Sequence, residues 1–205
     1  MRIQQATLLI ITLGLSMAVV GCAGKIQYPT YYTLHLPPAP DPPARLEARA
    51  SIAVREFRSP GYLRQGPIVY RASAEQLGFY DYHRWATDPR DFVTTTIADR
   101  LRARGNFGEI KLYDGRSHAD YIISGRLEKL EEVDYQGGVK VEVSLSAHMT
   151  DVRTGTTVWT NSASDIENVS QRNVAAIVSE MSHTMDRTIE KLLSSVPSPP
   201  AQPNR

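Results

Sequence analysis

The side chains in this chain with chemistry to offer are one cysteine, five histidines and a short run of carboxylates. A single thiol, Cys22, cannot close an intramolecular disulfide, so it needs another use. His35, His83, His118, His148 and His183 fall in separate segments without H-x-x-x-H or H-E-x-x-H spacing, and no metal site is expected from them. Glu128, Glu131, Glu132 and Asp134 lie close together. They lack the D-x-D-x-D-G loop of a calcium site and have no second acidic cluster beside them, so they read as a solvated strand edge whose charges deter strand addition. No G-x-S-x-G elbow, phosphate loop or dinucleotide fingerprint occurs. The chain reads as a non-enzyme, with no catalytic residue, no metal and no cofactor.

The surroundings of Cys22 give it a use. Met1-Arg2 is a short positive start, Leu8 to Val20 is apolar apart from Thr12 and Ser16, and small residues follow at Gly21 and Ala23. This is the layout of a secretory signal. The apolar run is shorter than the ~20 residues a membrane-crossing helix requires. Val19-Val20-Gly21-Cys22 resembles the bacterial lipobox, in which the bond between Gly21 and Cys22 is cut and the cysteine becomes an acylated N-terminus. Ala23, rather than Asp, follows the cysteine, and by analogy with Gram-negative sorting this favours the periplasmic face of the outer membrane. Several acyl chains on Cys22, palmitate among them, would hold the protein firmly where one binds only marginally.

The rest of the chain has the composition of one ordinary domain. It has 205 residues, of which 41% are hydrophobic and 22% charged. Its 23 basic and 22 acidic residues nearly cancel, so nothing electrostatic points to nucleic acid. The expected order is a signal peptide at 1–21, a lipidated tether at 22–30, a single periplasmic domain at 31–195 and a disordered, proline-rich tail at 196–205.

The organising element is 119–160. Val139, Val141, Val143, Leu145, Ala147 and Met149 share one parity, and Lys140, Glu142, Ser144, Ser146, His148 and Thr150 the other. That is a strand with one buried and one wet face. The strand before it carries Tyr121, Ile123 and Leu127 on one parity and slips phase by Leu130, which predicts a bulge. Turns at Gly137-Gly138 and Asp151–Gly155 reverse the chain, and Thr156–Thr160 returns as a third strand. The fold class is therefore α+β: an antiparallel sheet, a meander with a long central hairpin, covered on one face by two helices.

The flanking elements follow. Tyr31 to Leu36 alternates as a strand, and a proline-rich connector spans 37–45, with five of the 13 prolines between Pro37 and Pro43. Ser51–Phe57 and Pro67–Arg71 read as strands separated by Ser59-Pro60-Gly61. Leu77–Trp85 is a strand or a packed loop. Asp88 caps a helix with Pro89 in its first turn, an apolar face of Phe92, Thr96, Ile97 and Leu101, and a stop at Gly105. Gly108–Tyr113 is a short strand. The last helix carries Val174, Ile177, Val178, Met181, Met185, Ile189 and Leu192 on one stripe. Tyr28, Tyr31, Tyr32, Tyr62, Tyr70, Tyr80 and Tyr82 crowd the first half, and a surface made from some of them would suit an interface or an apolar groove.

In order along the chain, the Cys22 lipobox, Tyr31-Tyr32-Thr33-Leu34, Ile68-Val69-Tyr70-Arg71, His83-Arg84-Trp85-Ala86, Ala119-Asp120-Tyr121 with Gly125-Arg126-Leu127, and Asp151-x-Arg153-Thr154-Gly155 with Val158-Trp159 resemble the auxiliary lipoproteins of ABC-type transport systems. That group includes the lipoprotein encoded with the paraquat-inducible MCE proteins. The resemblance runs from Cys22 to about Leu193. It implies a non-catalytic domain, moored by its lipid, working with an MCE-domain protein and an ABC permease and ATPase that move lipids or other apolar solutes. A homo-oligomer is compatible with it. The Ala-Asp-Tyr and Asp-x-Arg-Thr-Gly strands are shared with lipoproteins of the secretion-channel or cell-wall-synthase-activator type, which is the alternative reading; an envelope hydrolase lacks a nucleophile beside a base.

Overall fold

The computed structural model describes residues 27–42, 50–116, 118–135 and 137–198. Its elements in chain order are β1 (Thr30–Tyr32), β2 (Ser51–Val54), a 3-10 turn at Gly61–Arg64, β3 (Pro67–Arg71), β4 (Leu77–Trp85), α1 (Pro89–Arg104), β5 (Glu109–Leu112), β6 (Tyr121–Val133), β7 (Lys140–Asp151), β8 (Thr157–Asn168) and α2 (Val174–Leu193). Gly21 and Cys22, part of the connector and the end of the tail lie outside the described residues.

β6, β7 and β8 form the expected antiparallel meander. On β7 the side chains from Val141 to Met149 alternate as the sequence predicts, with the apolar set buried. The bulge falls between Leu127 and Lys129, close to the predicted slip. Gly155 has φ of 72°, a left-handed turn position that glycine adopts without a Cβ clash. The α+β class holds. The sheet, however, is mixed rather than antiparallel throughout. β2 pairs in parallel with β5 and β6, β3 with β6, and β1 with β4. The reason is connectivity: residues 51–71 run along one edge of β6 in its own direction, and β5, reached through α1, joins the far side of β2 in that same direction.

β6 holds the sheet together because both its edges are used. One edge takes β7 along its length. The other takes β2 at its start, with Ile52 opposite Tyr121, and β3 at its end, with Tyr70 opposite Glu132. Between them Arg58 bridges to Arg126 in parallel. Residues 51–71 thus run beside β6 as one interrupted strand. Gly125 makes that possible, since a Cβ there would come within 2.2 Å of the Phe57 ring and 2.6 Å of the Ser146 carbonyl oxygen.

One face of the sheet carries the core. Ile52, Val54, Phe57, Ile123, Leu127, Leu130, Val141, Val143, Leu145 and Met149 are buried there under both helices, each large side chain contributing about 1.5–3 kcal/mol. α2 buries the predicted stripe and is capped by Asn173, whose side chain accepts from the Ala176 N–H at 2.9 Å. α1 starts as predicted, with Asp88 accepting from the Arg90 N–H at 2.9 Å, and ends at Gly105. Its buried stripe, though, is Val93, Ile97 and Leu101 with Thr94 and Ala98, while Phe92 and Thr96 are half-buried. Those two line a cavity shared with Leu34–Ala39, because the start of the connector lies along that side of the helix.

The same connector explains why the first strand is short. The chain leaves the sheet after Tyr32, Leu34 is buried, and the His35 N–H donates to Ser182 Oγ on α2 at 3.1 Å. Arg100 ties the three pieces together, donating to the Pro37 carbonyl at 2.8 Å and to Asp186 at 2.6 Å. β8 runs well past the predicted Thr160. Its helix-facing parity beyond Trp159 is mostly polar, so no apolar alternation marks it. Asn161 instead donates to the Leu192 carbonyl at 2.7 Å, and Asp165 accepts from Arg187 and Lys191 at 2.8 Å each.

Candidate functional site: an aromatic strand edge and an open polar face

β1 begins soon after Cys22 in sequence and, among the described strands, pairs only with β4. Tyr28 is 76% exposed, Tyr31 60% and Tyr82, on β4, 42%. Tyr31 lies opposite Arg84, two positions from Tyr82, so the exposed rings gather at one outer edge. The inward tyrosines do different work. The Tyr32 hydroxyl meets His83 Nδ1 at 3.0 Å, Tyr80 stacks edge-on against His83 at 5.7 Å, and Tyr70 packs on Tyr80 at 5.3 Å. Tyr62 donates to the Glu128 carbonyl at 3.3 Å. The seven tyrosines therefore divide into an exposed edge of three and a packed group of four, a split that depends on partners distant in sequence.

The acidic run is not the solvated strand edge that the sequence suggests. Glu131 is 0% and Glu132 4% exposed. β6 is an interior strand, and neighbours on both sides close over it. Glu131 takes both a 2.7 Å and a 3.0 Å hydrogen bond from the Arg71 guanidinium, a bidentate pair. Glu132 accepts from the Tyr80 hydroxyl at 2.6 Å. Burial raises the Glu132 carboxyl above its ordinary value, against the opposing pull of that hydrogen bond. Burial likewise raises the Tyr80 hydroxyl, reinforced by the bond to Glu132. Glu128 accepts from Arg126 and Ser146, each at 2.8 Å, and Asp134 from Arg172 at 3.1 Å. Every member of the run is thus an acceptor within the fold.

His35, His118, His148 and His183 are exposed, and His183 Nδ1 lies 3.9 Å from a Glu180 carboxylate oxygen. Among the described residues no three of His, Cys, Asp or Glu gather as a metal ion would need. No described helix is long and apolar enough to cross a membrane.

The face of the sheet away from the helices carries a feature that the sequence does not disclose. A cleft of about 510 Å³ lies over β6, β7 and the segment after β2. Arg55, Arg58, Arg126 and His148 line it, beside Ser124 and Thr160. His148 and Arg126 stand on the wet parity of their strands and could be read from alternation. Arg58 reaches them only through the parallel bridge to Arg126, and no local pattern announces such a pairing.

The family model described as "ABC-type transport auxiliary lipoprotein component" matches residues 32–192, well over half of the chain. The chain is similar to a crystal structure of protein XCC0632 from Xanthomonas campestris, at 15% identity and a TM-score of 0.70, covering 80% of this chain and 92% of that one. It is also similar to the crystal structure of an uncharacterized protein, at 14% identity and a TM-score of 0.62, covering 82% of this chain and 97% of that one. These two likenesses show the fold. No curated protein matches the chain at a significant level.

Proposed function

The chain belongs to the family of ABC-type transport auxiliary lipoprotein components, and from that premise we propose that it is a docking subunit rather than an enzyme. Cys22, freed by cleavage after Gly21, carries the lipid that moors it to the periplasmic face of the outer membrane. Residues 22–30 are the tether and 31–195 the single domain that it presents. Its partners are an MCE-domain protein and an ABC permease and ATPase that move lipids or other apolar solutes across the envelope.

The observation that carries this reading is the exposed aromatic edge at β1, with Tyr28, Tyr31 and Tyr82 at the end of the domain nearest the tether. Large rings with a polar tip anchor interfaces well, and an outer strand offers backbone N–H and C=O groups to a partner. The experiment is a photoreactive residue in place of Tyr31 in the full-length lipoprotein, activated in cells. Capture of an MCE-domain protein is the expected result. Capture of a penicillin-binding protein or a secretion-channel component in its place overturns the docking assignment.

A further inference from the structure

From the open-face cleft we infer that the pocket formed by Arg58, Arg126 and His148 binds a phosphate group, either free or as the headgroup of an anionic phospholipid. The inference stands on the geometry of this chain alone and not on the transport reading. Arg58 and Arg126 are bridged in parallel, which sends their side chains off the same face side by side. Two like charges on adjacent strands repel, and an anion seated between them turns that repulsion into attraction. His148 shares the face, since it lies opposite Ser124 on β6 and Thr160 on β8.

The carboxylates nearby leave room for such a ligand. Glu128 holds Arg126 at 2.8 Å and also accepts from Ser146, and Glu56, which lines the cleft, is paired at 3.2 Å with the Arg90 guanidinium of α1. Arg55 is placed over the Tyr113 ring at 4.7 Å, which fixes it at the rim. Arg58 has no carboxylate partner among the described residues, so its fork of donors is available. Guanidinium groups present paired donors that match phosphate oxygens, and the Ser124 and Thr160 hydroxyls extend the donor set along the floor. A cleft of about 510 Å³ takes a phosphate together with a glycerol-sized substituent.

The test uses full-length acylated protein in a neutral detergent, with isothermal titration of inorganic phosphate in one arm and of short-chain phosphatidylglycerol in the other. Binding in either arm that weakens at least tenfold in Arg58→Glu, stays within threefold in Arg58→Lys and falls as salt is raised is the expected result. A response to phosphatidylglycerol alone assigns the site to the headgroup; equal responses assign it to the phosphate group itself. Arg58 is exposed and makes no described side-chain bond, so unchanged melting of both variants separates lost binding from lost fold. Binding that Arg58→Glu leaves intact, or heat from neither probe, overturns the inference.

Discussion

β7 has two sides with opposite duties. Val141, Val143, Leu145, Ala147 and Met149 face the helices and are buried, while Glu142, Ser144, Ser146 and His148, one residue out of step, face the open side. One face therefore holds the fold together and the other is free for recognition. The same division runs across most of β6, with an informative exception near its end, where Val133 as well as Glu131 is buried. Glu131 lies on the open side, yet it is fully buried by Arg71 and the strands around it. The lesson is that exposure follows what crosses a face, not parity alone.

The sharpest test of this division compares neighbours on β7. Leu145→Ala removes a fully buried side chain and is expected to cost about 3–5 kcal/mol in chemical unfolding, whereas Ser144→Ala, facing the other way, should stay within about 0.5 kcal/mol. Equal costs would break the comparison. Glu131→Ala probes the exception: leaving Arg71 without its bidentate partner should cost about 3 kcal/mol despite its place on the open face. A surface-sized effect would mean that the open face is uniformly tolerant. Gly125→Ala should cost about 1–3 kcal/mol, because the new methyl group meets Phe57 and the Ser146 carbonyl at once. Cys22→Ala tests neither face and should leave unfolding unchanged while releasing the protein from membranes; a variant that still fractionates with the outer membrane removes the anchoring proposal.

Much of the covered face could be read from the residues. The alternation of β7, the stripe of α2 and the Asp88-Pro89 start of α1 are local patterns, and each forms where expected. What local pattern cannot carry is pairing across long separations. Arg71 meets Glu131 only because β3 lies parallel to β6, and Arg58 meets Arg126 for the same reason. The parallel strands, the burial of Glu131 and Glu132 and the cleft all depend on that register. The polar length of β8 was hidden for another reason: Asp165 and Asn161 are matched by groups on α2, so the strand needs no apolar alternation to be stable.

Two carboxylates on the covered side give the smallest and most discriminating prediction, because they respond to pH with opposite sign. Burial raises the Glu132 carboxyl above 4.5, so the folded state holds its proton more tightly than the unfolded chain does. Stability from this group is complete below pH 4.5 and is lost as pH rises through the folded value. Burial also acts on Asp165, but the hydrogen bonds from Lys191 and Arg187 outweigh it and hold that carboxyl below 3.8. Its contribution is present above pH 3.8 and is lost only as pH falls further. Glu132→Gln keeps an oxygen to accept from Tyr80 and removes the titration. Urea midpoints taken from pH 4 to 7 should decline with pH in the parent relative to Glu132→Gln, with the two converging at the acid end. A parent that gains on the variant as pH rises would show the carboxylate to be stabilised in place, and the buried acid on this side would then behave like Asp165.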